Sequence, residues 1–222
     1  MLIRTAFLKV KATAAALILA TVGFALPAQA TLVLDLLPGG FPASCPDCGD
    51  VSGRTLGWAI AVNDTIQIGG LGAWDSNAAA FGRDVEVGLW AGDGTLLAST
   101  TIFDSSPTEA SSGDGVWRVE SIAALTLGPG LYLVGLTFFD DTPLAQFDAP
   151  FTHIPEVIYF GARISSLGPD SGFSPPDFLL ERVDGFFGPT FLLAELPEPA
   201  TLALFGLGLV GLGLAAQRRR TG

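Results

Sequence analysis

The stretch Asp-Val-Glu-Val-Gly-Leu-Trp at residues 84–90 decides the fold class of this chain. Its polar and apolar residues alternate with a period of two, which is typical of a strand that buries one face. Residues 91–94, Ala-Gly-Asp-Gly, follow it and supply positions that tolerate a positive φ, and a second β-rich run extends over 95–102. The two runs together predict a β-hairpin.

The same kind of pattern continues along residues 31–196. Val-Trp-Arg-Val-Glu at 116–120 alternates in the same way, and a Gly-Pro-Gly turn at 128–130 leads into a long apolar run over 131–139. Further candidate strands, separated by clusters of Gly, Pro, Asp and Ser, lie at 31–36, 57–62, 64–71, 156–164, 178–183 and 187–193. No segment of this region has a sustained 3.6-residue apolar period with a capping signal. The sequence therefore predicts an all-β fold with a single β-sandwich domain over 31–196.

The first 30 residues have the three parts of a secretory signal peptide. In order, they are a positive n-region (Arg4, Lys9 and Lys11), an apolar run (12–25) and a small-x-small cleavage site (Ala28 and Ala30). We predict export by the Sec machinery and cleavage by signal peptidase, which leaves a mature chain that begins at Thr31. The alternative is an uncleaved anchor helix, but the run is short and Pro27 follows it directly.

Charge is distributed unevenly along the chain. The formal net charge is −11 over 222 residues, yet six of the 11 basic residues lie in the two end segments. Residues 31–196 contain five arginines, no lysine and 21 of the 22 acidic residues, so their formal charge is −16. Because a field of this sign repels phosphate groups, the sequence argues against a nucleic-acid partner.

Cys45 and Cys48 are the only cysteines, and they form a Cys-x-x-Cys pair. In an exported protein this pair predicts a small-loop disulfide rather than a redox centre, since no thioredoxin-like βαβ pattern follows it. A zinc site would need further ligands, and His153 is the only histidine of the chain.

The last 26 residues have the layout of a sorting tail. Pro197, Glu198 and Pro199 come first, a predicted transmembrane helix rich in Leu and Gly spans 200–217, and an arginine cluster occupies 218–220 (Arg218, Arg219 and Arg220). The apolar stretch is near the lower limit for crossing a bilayer, and the arginines after it stay cytoplasmic under the positive-inside rule. We therefore predict a transient single-pass anchor with the β domain outside the inner membrane. A permanent anchor would explain the apolar stretch and the arginines but not the Pro-Glu-Pro.

This tail resembles the PEP-CTERM sorting signal of exopolysaccharide-producing Gram-negative bacteria, since the Pro-Glu-Pro, the Leu/Gly span and the basic end occur in order over 197–222. The resemblance implies recognition by an exosortase, an integral-membrane transpeptidase-like enzyme, and processing near Glu198. Release or attachment at the outer surface would follow. Through short motifs such as Gly-Leu-Trp at 88–90 and Gly-Pro-Gly-Leu-Tyr at 128–132, the domain is similar to uncharacterised jelly-roll-like domains of PEP-CTERM proteins. That likeness implies a fold and no reaction.

Catalytic signatures are missing from the sequence. There is no Gly-x-Ser-x-Gly motif, and a nucleophile would have only His153 as an imidazole base. Paired carboxylates for glycoside hydrolysis stay open, because the sequence gives no separations between them. We predict that the chain is not an enzyme and needs no cofactor.

Acidic residues offer two candidate sites for a metal ion. The candidates for a structural calcium ion are Asp140, Asp141 and Asp148, with Asp47 and Asp50 as a second pair. Carboxylates are the hard oxygen ligands that Ca²⁺ prefers, but solvated acids at a turn explain the same residues.

The four tryptophans of the chain allow two interpretations. They are Trp58, Trp74, Trp90 and Trp117. Such residues fit either a sugar-stacking face or the core of a β-sandwich, and core packing is the preferred interpretation.

The sequence thus predicts an exported, exosortase-processed surface or extracellular-matrix protein, non-enzymatic and associated with exopolysaccharide or biofilm. Its predicted partners are the export machinery, signal peptidase, exosortase and extracellular polysaccharide. The alternative is a secreted carbohydrate-binding or carbohydrate-active protein on the same β-sandwich scaffold.

Overall fold

The architecture comes from a computed structural model, which describes residues 31–39, 41–42, 52–76, 78–79, 81–111, 113–139, 146–147, 149–168, 172–180 and 188–194. Within these ranges all regular secondary structure is β-strand, which confirms the predicted all-β class. The strands are β1 (Leu34–Leu36), β2 (Phe41–Pro42), β3 (Thr55–Val62), β4 (Ile66–Asp75), β5 (Val85–Ala91), β6 (Leu96–Ile102), β7 (Thr108–Ala110), β8 (Val116–Leu127), β9 (Gly130–Thr137), β10 (Gln146–Phe147), β11 (Phe151–His153), β12 (Val157–Ile164), β13 (Phe178–Leu179) and β14 (Pro189–Leu193).

The larger sheet has six antiparallel strands in the order β13-β12-β3-β9-β5-β6. Its central pair, β3 and β9, runs without interruption from Thr55 opposite Thr137 to Val62 opposite Gly130. At its edge, β5 and β6 form the predicted hairpin, whose turn includes Gly94 with a φ of 87°.

The smaller sheet has four antiparallel strands in the order β14-β4-β8-β7. The β4–β8 pair contains a bulge between Ile68 and Gly70. Since a bulge bends and twists the strand that carries it, this irregularity helps the sheet to curve over the core.

Trp58 of β3 joins the two sheets. It is fully buried, and its ring stacks on Phe191 of β14 with centroids 5.8 Å apart and an interplanar angle of 16°. Its indole N–H donates to the carbonyl of Pro189 over 2.8 Å, so the buried polar atom has a partner. Because both sheets contribute to one apolar core, the fold is β-sandwich-like.

Two short strand pairs lie outside these sheets. β1 pairs with β11, from Leu34 opposite His153 to Leu36 opposite Phe151, and β10 pairs with β2. Ahead of β1, the N-terminal residues run beside β14 through an isolated bridge between Leu32 and Leu192.

The polar segment 103–114 contains a strand that is absent from the predicted ones. Thr108–Ala110 form β7 and pair with residues 116–118 of β8. A three-residue strand is too short for a period of two to stand out, so the pattern of the sequence does not reveal it.

No helix in the described ranges is long and apolar enough to cross a membrane. The predicted signal peptide, 1–30, and the predicted transmembrane helix, 200–217, both lie outside those ranges.

Candidate functional site

Most of the predicted site residues lie outside the described part of the chain, and for them the sequence-based predictions stand as they were made. They are the signal cleavage residues Ala28 and Ala30, the cysteines Cys45 and Cys48, the acidic candidates Asp140, Asp141 and Asp148, the sorting residues Pro197, Glu198 and Pro199, and the arginines Arg218, Arg219 and Arg220. The structure does describe the two positions that border the targeting segments, Thr31 and Ala194.

Thr31 and Ala194 lie at the same end of the domain. The amide of Leu193 donates to the carbonyl of Thr31 over 2.9 Å, and the amide of Val33 donates to the carbonyl of Phe191 over 2.9 Å. On the other side of β14, the amide of Ala194 donates to the carbonyl of Gln67 in β4 over 2.8 Å. The first residue of the predicted mature chain is therefore hydrogen-bonded to the strand that ends just before the sorting tail.

His153 is exposed on β11. Its Nδ1 lies 3.0 Å from the carbonyl oxygen of Ile154, and its ring centroid is 6.3 Å from that of Phe151. Among the described residues, no hydroxyl or carboxylate is hydrogen-bonded to this imidazole. The arrangement of nucleophile, base and orienting group that covalent catalysis requires is not assembled around His153 in this part of the chain.

Acidic residues are dispersed over the described surface. No group of three or more His, Cys, Asp or Glu side chains comes close enough in the described ranges to hold a metal ion. The calcium prediction at Asp140, Asp141 and Asp148 falls outside those ranges and stays a prediction.

All four tryptophans are buried, which supports core packing over a sugar-stacking face. Trp58, Trp74 and Trp117 are 0% exposed, and Trp74 meets Trp117 edge to face with centroids 5.1 Å apart. Trp90 is 2% exposed although it lies on the outer face of the six-stranded sheet, where Phe173 covers it at a centroid distance of 5.0 Å.

The cover over Trp90 comes from residues 173–176, which we call the covering segment. It crosses Gly88 and Gly135, which face each other on neighbouring strands in a row that continues to Gly57. A Cβ on Gly88 would lie 2.8 Å from the Phe173 ring, and one on Gly135 would lie 2.9 Å from the Pro176 ring. The glycines therefore form a channel in the sheet surface that holds the covering segment. A larger side chain at Gly88 or Gly135 would obstruct this channel.

Polar contacts fix the covering segment at one end. Ser174 is 8% exposed, its hydroxyl lies 2.6 Å from that of Ser165, and its amide donates to Oγ1 of Thr55 over 3.3 Å. Just beyond the segment, Asp177 accepts hydrogen bonds from the amide and hydroxyl of Ser166 at 2.7 and 2.8 Å.

The pKa of Asp177 reflects these contacts. Partial burial by itself raises the pKa of this carboxyl, but the two hydrogen bonds from Ser166 and the charge of Arg54 outweigh it and lower the pKa below the ordinary value. Asp177 therefore stays ionised and holds the end of the covering segment on the loop after β12.

A buried ion pair lies between β4 and β8. Nε of Arg118 is 2.8 Å from Oδ2 of Asp75, and the two side chains are 8% and 0% exposed. Arg118 also donates to the carbonyl of Asp104 over 2.5 Å, and its guanidinium lies 5.7 Å from the centre of the Phe81 ring. These partners make the pair part of the fold.

A groove of about 480 Å³ lies on the four-stranded sheet, next to the point where the chain leaves the domain. The backbone of Gly69 and Gly70 contributes to its lining. Its other lining residues are Pro107, Glu109, Val119, Glu120, Ser121, Ile122, Leu192, Leu193 and Ala194. No local sequence pattern indicates this groove, because its walls come from four strands that are far apart in the sequence, β4, β7, β8 and β14.

Comparison with protein families identifies the segment that follows Ala194. Residues 195–220 match the family model of the PEP-CTERM protein-sorting motif. The match confirms the resemblance inferred from Pro197, Glu198 and Pro199, and it begins two residues before them. A PEP-CTERM motif implies an exosortase-targeted extracellular protein with a membrane-anchored sorting signal.

The PEP-CTERM match covers 26 of the 222 residues, 195–220. Neither the curated proteins nor the solved structures gave a match to the chain.

Proposed function

We propose that this chain is an exported surface or extracellular-matrix protein that is processed by exosortase, associates with exopolysaccharide and has no catalytic activity of its own. The observation that carries the proposal is the position of the PEP-CTERM motif. It begins directly after Ala194, at the end of the domain where Leu193 is hydrogen-bonded to Thr31. Both targeting segments thus leave the β domain at one end, as suits a domain held at the outer face of the inner membrane until its tail is cut.

We propose the following sequence of events. The Sec machinery exports the chain, signal peptidase cuts after Ala30, and the new N-terminal residues pair with β14. The span 200–217 halts in the membrane with Arg218 to Arg220 in the cytoplasm. Exosortase then acts near Glu198, which is only four residues beyond Ala194.

The strand order supports a jelly-roll-like form of the sandwich. β8 and β9 are consecutive in the chain but belong to different sheets. β9 lies between β3 and β5, while β8 lies between β4 and β7. This interleaving of a late strand pair between earlier ones is a feature of jelly rolls.

The sorting step is tested by replacing Pro197, Glu198 and Pro199 with alanine in a host that contains an exosortase. We expect the variant to accumulate as unprocessed chain in the inner membrane, because the motif next to the span is lost while the span is kept. Intact mass of the chain from membranes and culture medium is the measurement, and it also locates both cleavage sites.

The matched control uses the domain's own Pro-Glu pair. Replacing Pro155 and Glu156 with alanine changes the same residue types far from the tail in sequence, and this control should be processed like the wild-type chain. Normal processing and release of the triple variant would overturn the sorting role.

A second candidate, carbohydrate binding, is favoured by the groove beside Ala194. Its volume of about 480 Å³ is within the range of small-ligand sites, and Glu109 and Ser121 supply polar atoms at its rim. Glycan-array binding by the purified chain, abolished by Ser121→Trp, would favour this candidate. Ser121 is exposed, so the bulky side chain fills the groove without entering the core.

A further inference from the structure

Besides Leu179 of β13, four large apolar side chains are exposed on the outer face of the six-stranded sheet. They are Leu96, Leu131, Ile158 and Phe160, with 48%, 44%, 48% and 52% of their surface exposed. We call them the apolar band.

The pairing of the strands places the band in two neighbouring rows, the second of which is interrupted by the buried residues Ala59, Leu133 and Trp90. Ile158 and Leu131 lie on either side of Ala61 in one row. In the next row, Phe160 lies in the β12 bulge opposite Ala59, and Leu96 is paired with Trp90. Ala59 and Trp90 belong to the small apolar cluster of the outer face, which places the band on that face and away from the main core.

The band lies toward the end of the domain from which the sorting tail leaves. The row of Ala61 is next to Val62, the last residue of β3, and β4 begins only four residues later at Ile66. Ala194 is hydrogen-bonded to Gln67, the second residue of β4. The exit point and the band therefore share one end.

Charge differs between this end and the opposite one. The arginines in the described ranges lie toward the opposite end. Three of them are at or near the first residues of β3, β5 and β8, and one is near the last residue of β12; in that order they are Arg54, Arg83, Arg118 and Arg163. The turns of the exit end carry Asp64, Asp93 and Glu156 instead. An uncharged apolar band beside acidic turns suits a neutral apolar surface better than an anionic one.

The tether to the membrane is short. Five residues separate Ala194 from Ala200, where the predicted span begins, and six Cα steps reach at most about 20 Å. The two sheets of a sandwich are about 10 Å apart, so this reach lets the six-stranded sheet touch the bilayer although the tail leaves from the four-stranded one. A tether of this length also keeps the local concentration of the band at the surface high, so a weak contact suffices.

We propose that the apolar band rests on the lipid surface of the membrane while the sorting tail anchors the chain. The contact is hydrophobic, and it orients the domain with Leu131 and Ile158 against the bilayer before processing. This inference rests on the proposed function, because it requires residues 200–217 to insert.

The test places a photoreactive benzoylphenylalanine at Leu131 or, separately, at Ile158 of the full chain, reconstituted in phosphatidylcholine vesicles. Leu167 is the control site, since it is 52% exposed and follows β12 at the opposite end. After illumination, we expect lipid adducts by mass spectrometry at positions 131 and 158 in several-fold excess over position 167. Using two positions keeps the test valid if one variant misfolds.

Other adducts identify other occupants. Crosslinks from 131 and 158 to a second copy of the chain, without lipid adducts, would make the band a dimer interface and overturn the proposal. Lipid adducts no more frequent than at 167 would overturn it as well.

Lipid charge gives an independent check. Replacing part of the phosphatidylcholine with phosphatidylglycerol should lower the adduct yield, because Asp64, Asp93 and Glu156 are repelled. A higher yield would contradict a hydrophobic contact with a neutral surface.

Carbonate extraction separates this proposal from the one on which it rests. Release of the chain from the vesicles would mean that the tail does not anchor it, and the proposed sorting mechanism would fail. A chain that stays in the vesicles but gives no lipid adducts would leave anchoring intact and overturn the docking proposal alone.

Discussion

Leu193 donates its amide hydrogen to the carbonyl of Thr31 over 2.9 Å, although 162 positions separate the two residues. The bond pairs the first residue of the predicted mature chain with the last residue of β14. The N-terminal residues therefore protect the edge of β14, and an unpaired sheet edge next to the tail is avoided.

This edge pairing predicts an effect of proline at Val33. Val33→Pro removes the amide that donates to Phe191, and we expect it to lower the free energy of unfolding by about 1–3 kcal/mol more than Val33→Ala does. Val33→Ala is the matched control, since it keeps the amide and loses only side-chain packing. Thermal unfolding of the purified chain in detergent is the measurement, and equal losses in the two variants would show that the hydrogen bond contributes nothing.

Strand positions were predictable from the sequence, and strand neighbours were not. The alternation of polar and apolar residues over 84–90 is a local pattern, so it predicts β5, which is found at Val85–Ala91. That β9 lies between β3 and β5 depends on contacts far apart in sequence, which a single chain's pattern does not encode.

The glycine row on the outer face was also not predictable from the sequence pattern. Gly57, Gly88 and Gly135 each look like an ordinary interruption of a strand pattern. Only the cross-strand register brings them together, and only then does the role of Phe173 and Pro176 become visible.

The candidate site was predictable in the tail for a different reason. A sorting signal is read as a linear motif, so Pro197, Glu198 and Pro199 could be recognised without any fold. The shared exit end of Thr31 and Ala194, in contrast, needed the three-dimensional structure.

The packing over the glycine row predicts that one added methyl group at Gly88 lowers the stability of the folded chain. Gly88→Ala would place its Cβ 2.7 Å from the Trp90 ring and 2.8 Å from that of Phe173, so we expect a loss of about 1–3 kcal/mol from overpacking. Acrylamide quenching should report greater access to Trp90 as Phe173 is displaced. Gly128→Ala is the control, because nothing lies within 4 Å of the added Cβ. If Gly88→Ala matched that control in both measurements, the channel would not be filled by the covering segment.

Breaking the buried ion pair of Arg118 and Asp75 should lower stability more than the Gly88→Ala change does. Asp75→Asn leaves the charge of Arg118 buried without its carboxylate, and breaking such a pair costs about 3–5 kcal/mol. Asp84→Asn removes an exposed carboxylate and should change stability by no more than about 0.5 kcal/mol. Unfolding by urea, followed by tryptophan fluorescence, compares the two variants, and similar midpoints would argue against a structural role for the pair.

The lowered pKa of Asp177 predicts how the stability of the folded chain depends on pH. Its pKa is lowered in the folded chain, because the hydrogen bonds from Ser166 and the charge of Arg54 outweigh the effect of burial. A lowered pKa contributes stability that is present above the unfolded pKa, about 3.9 for Asp, and is lost as pH falls through the folded value. Asp177→Asn should therefore be less stable than wild type at neutral pH, by less than about 1 kcal/mol because the carboxyl is largely exposed.

The difference between wild type and Asp177→Asn should disappear on acidification. Thermal unfolding midpoints of both chains, measured from neutral pH down to about pH 2, give this difference directly. Asp64→Asn removes an exposed carboxylate from a turn at the other end of the domain and controls for the change in net charge. A difference that stays constant over the whole range, or that matches the Asp64 control, would mean that the Ser166–Asp177 contact does not hold the covering segment through its charge.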